Sequence, residues 1–114
     1  MNTVEADMGT LLVITTLPDE NHAVKMAEAL VAGQLAACVH IFPPGMSVYR
    51  WHGEIHKERE VTVLVKTVAT RYAELEASIR RLHPYDVPEV IGFPVSRGLP
   101  AYLQWIMDET TEIT

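Results

Sequence analysis

Met46-Ser47-Val48-Tyr49-Arg50-Trp51-His52-Gly53-Glu54-Ile55-His56-Lys57-Glu58-Arg59-Glu60-Val61-Thr62-Val63-Leu64-Val65-Lys66-Thr67 reads as two strands joined by a tight turn. The first strand alternates, placing Met46, Val48 and Arg50 on one face and Ser47, Tyr49 and Trp51 on the other. His52-Gly53 supplies the turn. The returning strand runs from Glu54 to Thr67, polar as far as Glu60 and apolar from Val61 to Val65. Ordinary strands are about five or six residues long. This hairpin therefore has an apolar half that belongs in a core and a polar half that projects as an arm. A lone two-stranded ribbon is marginal in water, so the arm is expected to pack on a neighbouring subunit. Tyr49 and Trp51 are its expected contacts, because aromatic side chains are enriched at interfaces.

Upstream, Thr10-Leu11-Leu12-Val13-Ile14-Thr15-Thr16-Leu17 is an unbroken apolar and β-branched run, the pattern of a central strand buried on both faces. Pro18 ends it and Asp19 is placed to cap a helix. Ala23, Met26, Ala27, Leu30 and Val31 then recur at helical spacing, and Gly33 stops the helix. Leu35 to Phe42 forms a second strand, broken by Pro43-Pro44-Gly45. Downstream of the hairpin, Thr70 is expected to cap a helix whose apolar stripe is Tyr72, Leu75, Ile79 and Leu82. Val90 to Val95 reads as a strand, with Pro94 marking an edge or an end. A short last helix spans Leu99 to Met107, followed by an acidic tail, Asp108 to Glu112, expected to be loose.

Strand, helix, hairpin, helix, strand is the split βαβ order of a ferredoxin-like α+β sandwich, here with an added C-terminal helix. The right-handed crossover rule lays both main helices on one face of an antiparallel four-stranded sheet. The opposite face is left bare, which calls for a closed oligomer. Residues 1–8 are expected to be a flexible tail and residues 9–110 a single domain.

A chain of 114 residues suits one domain with a real core, and its hydrophobic fraction of 48% is high enough to suggest that a partner covers some surface. A net charge of −6 argues against a nucleic-acid binder, which needs a basic face. The lone Cys38 permits no intrachain disulfide or thiolate cluster and reads as a small strand hydrophobe. No apolar run approaches the roughly 20 residues that span a bilayer. The start of the sequence lacks the basic and apolar pattern of a secretory signal, so the cytoplasm is the expected location. No Gly-x-Ser-x-Gly and no glycine-rich phosphate loop is present, and His22, His40, His52 and His56 read as surface or turn residues. An enzyme is not expected.

The best candidate site is His83-Pro84-Tyr85-Asp86-Val87-Pro88-Glu89. Its two prolines stop the preceding helix and press His83 and Val87 toward extended geometry. Rigid connectors of this kind commonly carry functional side chains. A neutral imidazole and a carboxylate, His83 and Glu89, are competent ligands for Cu²⁺ or Zn²⁺, and further ligands must come from another loop or subunit. Asp86 and the Thr15-Thr16 end of the first strand are the expected neighbours, with Tyr85 and Thr15 lining a ligand cleft. The competing expectation is a small-molecule sensor in which Tyr85, Asp86 and Glu89 bind a metabolite through hydrogen bonds.

Several motifs in order resemble the divalent-cation tolerance family called CutA: Thr16 with Pro18-Asp19-Glu20, Leu35-Ala36-Ala37-Cys38, Tyr49-x-Trp51-x-Gly53, Glu60 with Lys66-Thr67, His83-Pro84-Tyr85-x-x-Pro88-Glu89, and Tyr102-Leu103-x-Trp105. Together they cover roughly residues 10–107. The resemblance implies a ferredoxin-like fold in a tight homotrimer similar to the PII-type signalling proteins, with the long hairpin wrapping neighbours and ligand clefts between subunits. It also implies a link to copper and other divalent ions and no established catalysis. The family's copper-binding bacterial pattern ends the first strand with a cysteine and sets two adjacent histidines before Pro-Tyr. Here those positions are Thr15 and Leu82-His83, so the implied site is harder and weaker than a thiolate site.

Overall fold

The computed structural model describes residues 9–111; the expected N-terminal tail, residues 1–8, lies outside them. The elements are β1 (Thr10–Leu17), α1 (Glu20–Ala32), β2 (Cys38–Ile41), β3 (Gly45–Trp51), β4 (Glu54–Val68), α2 (Tyr72–Leu82), β5 (Ile91–Pro94) and α3 (Pro100–Glu109). The sheet runs β2-β4-β1-β5, every pairing is antiparallel, and β3 continues the β2 edge along the far half of β4. The α+β ferredoxin-like order read from the sequence is the order observed.

One strand holds this arrangement together. The second half of β4 pairs on one side with β1, from Leu17↔Val61 to Thr10↔Val68, and on the other with β2, from Ile41↔Val63 to Cys38↔Lys66. Its first half pairs only with β3, from Trp51↔Glu54 to Gly45↔Glu60. The turn between β3 and β4 takes positive φ at both central residues, His52 (52°) and Gly53 (80°). Such turns match the right-handed twist of a hairpin.

The core lies between the sheet and the two main helices. Val13, Leu17, Val61, Val63 and Val65 from the sheet meet Ala23, Met26 and Leu30 of α1 and Leu75 and Ile79 of α2. α1 begins where Asp19 accepts a hydrogen bond from the His22 amide (2.9 Å) and ends at Gly33. The left-handed residue there is Gln34 (φ 57°), and Gly33 itself is at φ −82°.

Several local expectations are corrected. β1 is buried on alternate residues, with Val13, Thr15 and Leu17 inside and the intervening residues half-buried, because the two main helices cover only one face of the sheet. Thr70 does not cap α2; a 3₁₀ turn over Ala69–Arg71 leads into the helix without a side-chain cap. Leu82 is exposed, and the buried stripe runs Leu75, Ile79 and on to His83 at four-residue spacing. The second sheet face is not wholly bare. α3 covers one end, where Ile106 packs with Ala37 and Val68, and Lys66 Nζ donates to Tyr102 Oη (2.9 Å). Asp108 and Glu109 are helical rather than loose, and Thr110 is buried with its hydroxyl donating to the Ile106 carbonyl (2.7 Å). Pro94 ends β5, which is an edge strand as expected.

Candidate functional site

Pro84 fixes the end of α2. His83 leaves the helix in extended geometry (φ −83°, ψ 137°), the conformation imposed on a residue before proline. That step carries its imidazole onto β1, where it is 8% exposed. Nε2 lies 2.6 Å from the Thr16 carbonyl oxygen, and Nδ1 accepts from the Tyr85 amide (3.2 Å). A carbonyl only accepts, so Nε2 carries the proton and the ring is neutral. Burial holds its pKa below the ordinary histidine value, opposed by the Thr16 carbonyl and by the charge of Glu60.

Tyr85 leans across this ring, their centroids 4.7 Å apart. Its hydroxyl donates to Glu60 Oε2 at 3.1 Å. Desolvation, followed by that hydrogen bond and the Glu60 charge, pushes the phenol up to about 12. The loop is thus fastened at two points: His83 to the end of β1 and Tyr85 to the middle of β4. Glu60 is the last residue of the arm and the register partner of Gly45. Tyr49 and Glu58 also lie close enough to raise the Tyr85 phenol.

The expected site residues therefore separate. His83 and Tyr85 are joined, and both imidazole nitrogens are already engaged within the chain. Asp86 and Glu89 are exposed on the loop. Asp86 faces a shallow groove of about 320 Å³ with Glu76, Arg80, Val87, Pro88 and Val90. Thr15, expected at a ligand cleft, is instead completely buried on the helix-covered face, and its hydroxyl has no hydrogen-bond partner. Among the described residues no three or more His, Cys, Asp or Glu side chains are grouped as a metal ion requires. A cation at this loop would meet the carboxylates of Asp86 and Glu89 first, and His83 could join only by giving up a hydrogen bond.

Glu60 is the site residue that reading the loop alone missed. Its signal was positional, since the polar-to-apolar change along β4 falls immediately after it. Thr16 belongs to the strand end expected beside the loop, but it meets His83 through its backbone carbonyl and not through side-chain chemistry.

The sequence profile of the CutA1 divalent ion tolerance protein family matches residues 11–109. The divalent-cation tolerance protein CutA of Thermus thermophilus is 41% identical over 87% of this chain and 96% of its own length. Protein CutA of Mus musculus is 39% identical over 87% of this chain but only 56% of its own length. Among solved structures, CutA from Xylella fastidiosa superposes with a TM-score of 0.88 at 40% identity, covering 90% of this chain and 99% of that one. CutA1 from Oryza sativa gives 0.89 at 32% identity, covering 95% and 99%. Among the described residues no helix is long and apolar enough to cross a membrane.

Proposed function

This chain belongs to the CutA1 divalent ion tolerance family, and from that premise we propose that it is a non-enzymatic, homotrimeric binding protein for divalent cations. Its cargo is Cu²⁺ or Zn²⁺, held weakly at clefts between subunits by His83 and Glu89, with Tyr85 and Asp86 lining the cleft. The observation that carries this reading is how the loop is seated. Tied to β1 by His83 and to β4 by Tyr85, it holds the carboxylates of Asp86 and Glu89 outward on a stiff rim. The rim adjoins an arm whose apolar side chains require cover from a neighbour: Val48 is 61% exposed and Ile55 67%. Exposed oxygen donors shared across a cleft make a low-affinity, exchangeable cation site.

Calorimetric titration of Cu²⁺ and Zn²⁺ into the wild type, Glu89→Ala and His83→Ala tests the site. The expected result is weak binding that Glu89→Ala lowers by about tenfold. Identical affinity in all three proteins would remove both residues as ligands.

One observation favours a second reading. His83 keeps both nitrogens in hydrogen bonds and Tyr85 is held protonated by Glu60. A network so satisfied suits a loop that senses a small molecule through hydrogen bonds. A thermal-shift screen separates the two readings, since only a ligand that binds the folded state raises its melting temperature.

A further inference from the structure

Alternation along β2 divides its side chains between the two faces of the sheet. Val39 and Ile41 pack against the core on the helix side. Cys38 and His40 therefore point the other way, onto the second face. Their neighbours fix that assignment. Cys38 is the register partner of Lys66, whose ammonium donates to Tyr102 Oη of α3 on that face (2.9 Å). The His40 ring meets Phe42, two residues on, in a T-shaped contact with centroids 4.8 Å apart. Taken singly, these residues are a strand hydrophobe and a surface histidine; the strand makes them a pair. The Cys38 thiol is free and half-buried, and His40 is exposed. Among the described residues the imidazole hydrogen bonds belong to His22 and His83, so both ring nitrogens of His40 stand free. Residues two apart on a strand are separated by roughly 6–7 Å, a gap that a thiolate and an imidazole close by converging on one cation between them.

We propose that Cys38 and His40 form a Cu⁺ site on the second sheet face, separate from the His83–Glu89 loop. The donor set selects the metal. A thiolate with an imidazole is a soft pair, and soft ligands favour Cu⁺. Cu⁺ is satisfied by two ligands in a line, which this pair supplies, whereas Zn²⁺ takes four. Ca²⁺ and Mg²⁺ seek oxygen donors, which neither side chain offers. The surroundings agree with the choice. Leu64, the register partner of His40, and the Phe42 ring give the site apolar walls suited to a soft ion. Binding exchanges the thiol proton for Cu⁺, the proton leaving to solvent, with no electron transfer. Thiolate, Cu⁺ and neutral imidazole together carry no net charge, so the nearby Lys66 ammonium does not oppose them. The loop, by contrast, offers exposed carboxylates and an imidazole whose nitrogens are both engaged. The two places suit different ions, and the strand site stands whatever the loop holds.

Anaerobic titration of Cu⁺ into the full chain, in competition with a chromophoric Cu⁺ chelator, tests the site. The wild type is expected to bind one Cu⁺ per chain. Cys38→Ala and His40→Ala are each expected to lower the affinity by about 100-fold, at the top of the range for loss of even an outer partner of a metal site. Cys38→Ser provides a near-isosteric second variant, and far-UV circular dichroism confirms that each protein is folded. Copper K-edge absorption of the loaded wild type should show one sulfur and one imidazole, with the imidazole lost in His40→Ala. Excess Zn²⁺ is expected to leave the bound Cu⁺ in place. Unchanged affinity in His40→Ala would reduce the site to an adventitious thiol and overturn the proposal. So would one copper per three chains, which would put thiolates of separate chains on one metal, or displacement of Cu⁺ by Zn²⁺. These results leave the loop's own cations to be read by the Cu²⁺ and Zn²⁺ titrations of Glu89→Ala and His83→Ala.

Discussion

The two halves of β4 are continuous in sequence and paired throughout, yet they meet opposite fates. From Val61 onward, Val61, Val63, Val65 and Thr67 are buried beneath two helices, and β4 has a partner on each side. From Glu54 to Glu60 it has β3 alone, and only His56 and Glu60 on that half of the strand are even half-buried. Backbone pairing is therefore not what decides stability here. The inner half is held by the apolar area it buries; the outer half keeps its hydrogen bonds but lacks a surface to pack on. This contrast means that stability and assembly reside in different parts of one strand and can be broken separately.

The largest expected effect is in the inner half. Leu30→Ala or Leu75→Ala removes a wholly buried side chain from the core that includes the inner half of β4 and is expected to cost about 2–5 kcal/mol in denaturant unfolding at fixed protein concentration. The arm should answer differently. Trp51→Ala is expected to leave the far-UV spectrum unchanged while weakening association by about 2 kcal/mol, as for a buried aromatic anchor at an interface. Loss of folding in that variant would erase the distinction between the two halves.

Smaller effects test the loop that joins them. His83→Ala leaves the Thr16 carbonyl and the Tyr85 amide without their partner and is expected to cost about 1–3 kcal/mol. The pH dependence has a definite sign. Because the folded-state pKa of His83 is depressed, the unfolded chain binds the proton more readily. The contribution is present above the unfolded value of about 6.5 and is lost as pH falls through the lower folded value. Unfolding midpoints measured with a chelator present should decline on that side in the wild type, and less steeply in His83→Gln. The smallest effect is spectroscopic. Tyr85 is held at about 12, so its phenolate band should appear late in an alkaline titration, and Glu60→Gln should bring it back toward 10. Its stabilising contribution is present below about 10 and is lost as pH rises toward 12.

The fold was legible because its signals are local. The apolar run of β1, the helical spacing of Ala23, Met26 and Leu30, and the change at Glu60 each declare an element within a few residues. The errors arose where tertiary contact overrode local pattern. Leu82 lost its place in the stripe to His83 because a histidine in extended geometry could reach β1. Thr15 reads as the strand end nearest the loop, but alternation turns its side chain to the helices and leaves the carbonyl of Thr16 for His83. Hydrogen bonds between residues 67 and 25 positions apart, His83 to Thr16 and Tyr85 to Glu60, have no local signature at all.

The central claim is that the outer half of β4 is completed by other copies of this chain. Sedimentation velocity of the wild-type protein across a micromolar dilution series tests it most directly. The account requires a single species of three times the 12.8 kDa chain mass, with Trp51→Ala shifted toward the monomer. A monomer at every concentration, with the arm's apolar side chains left in water, would contradict it.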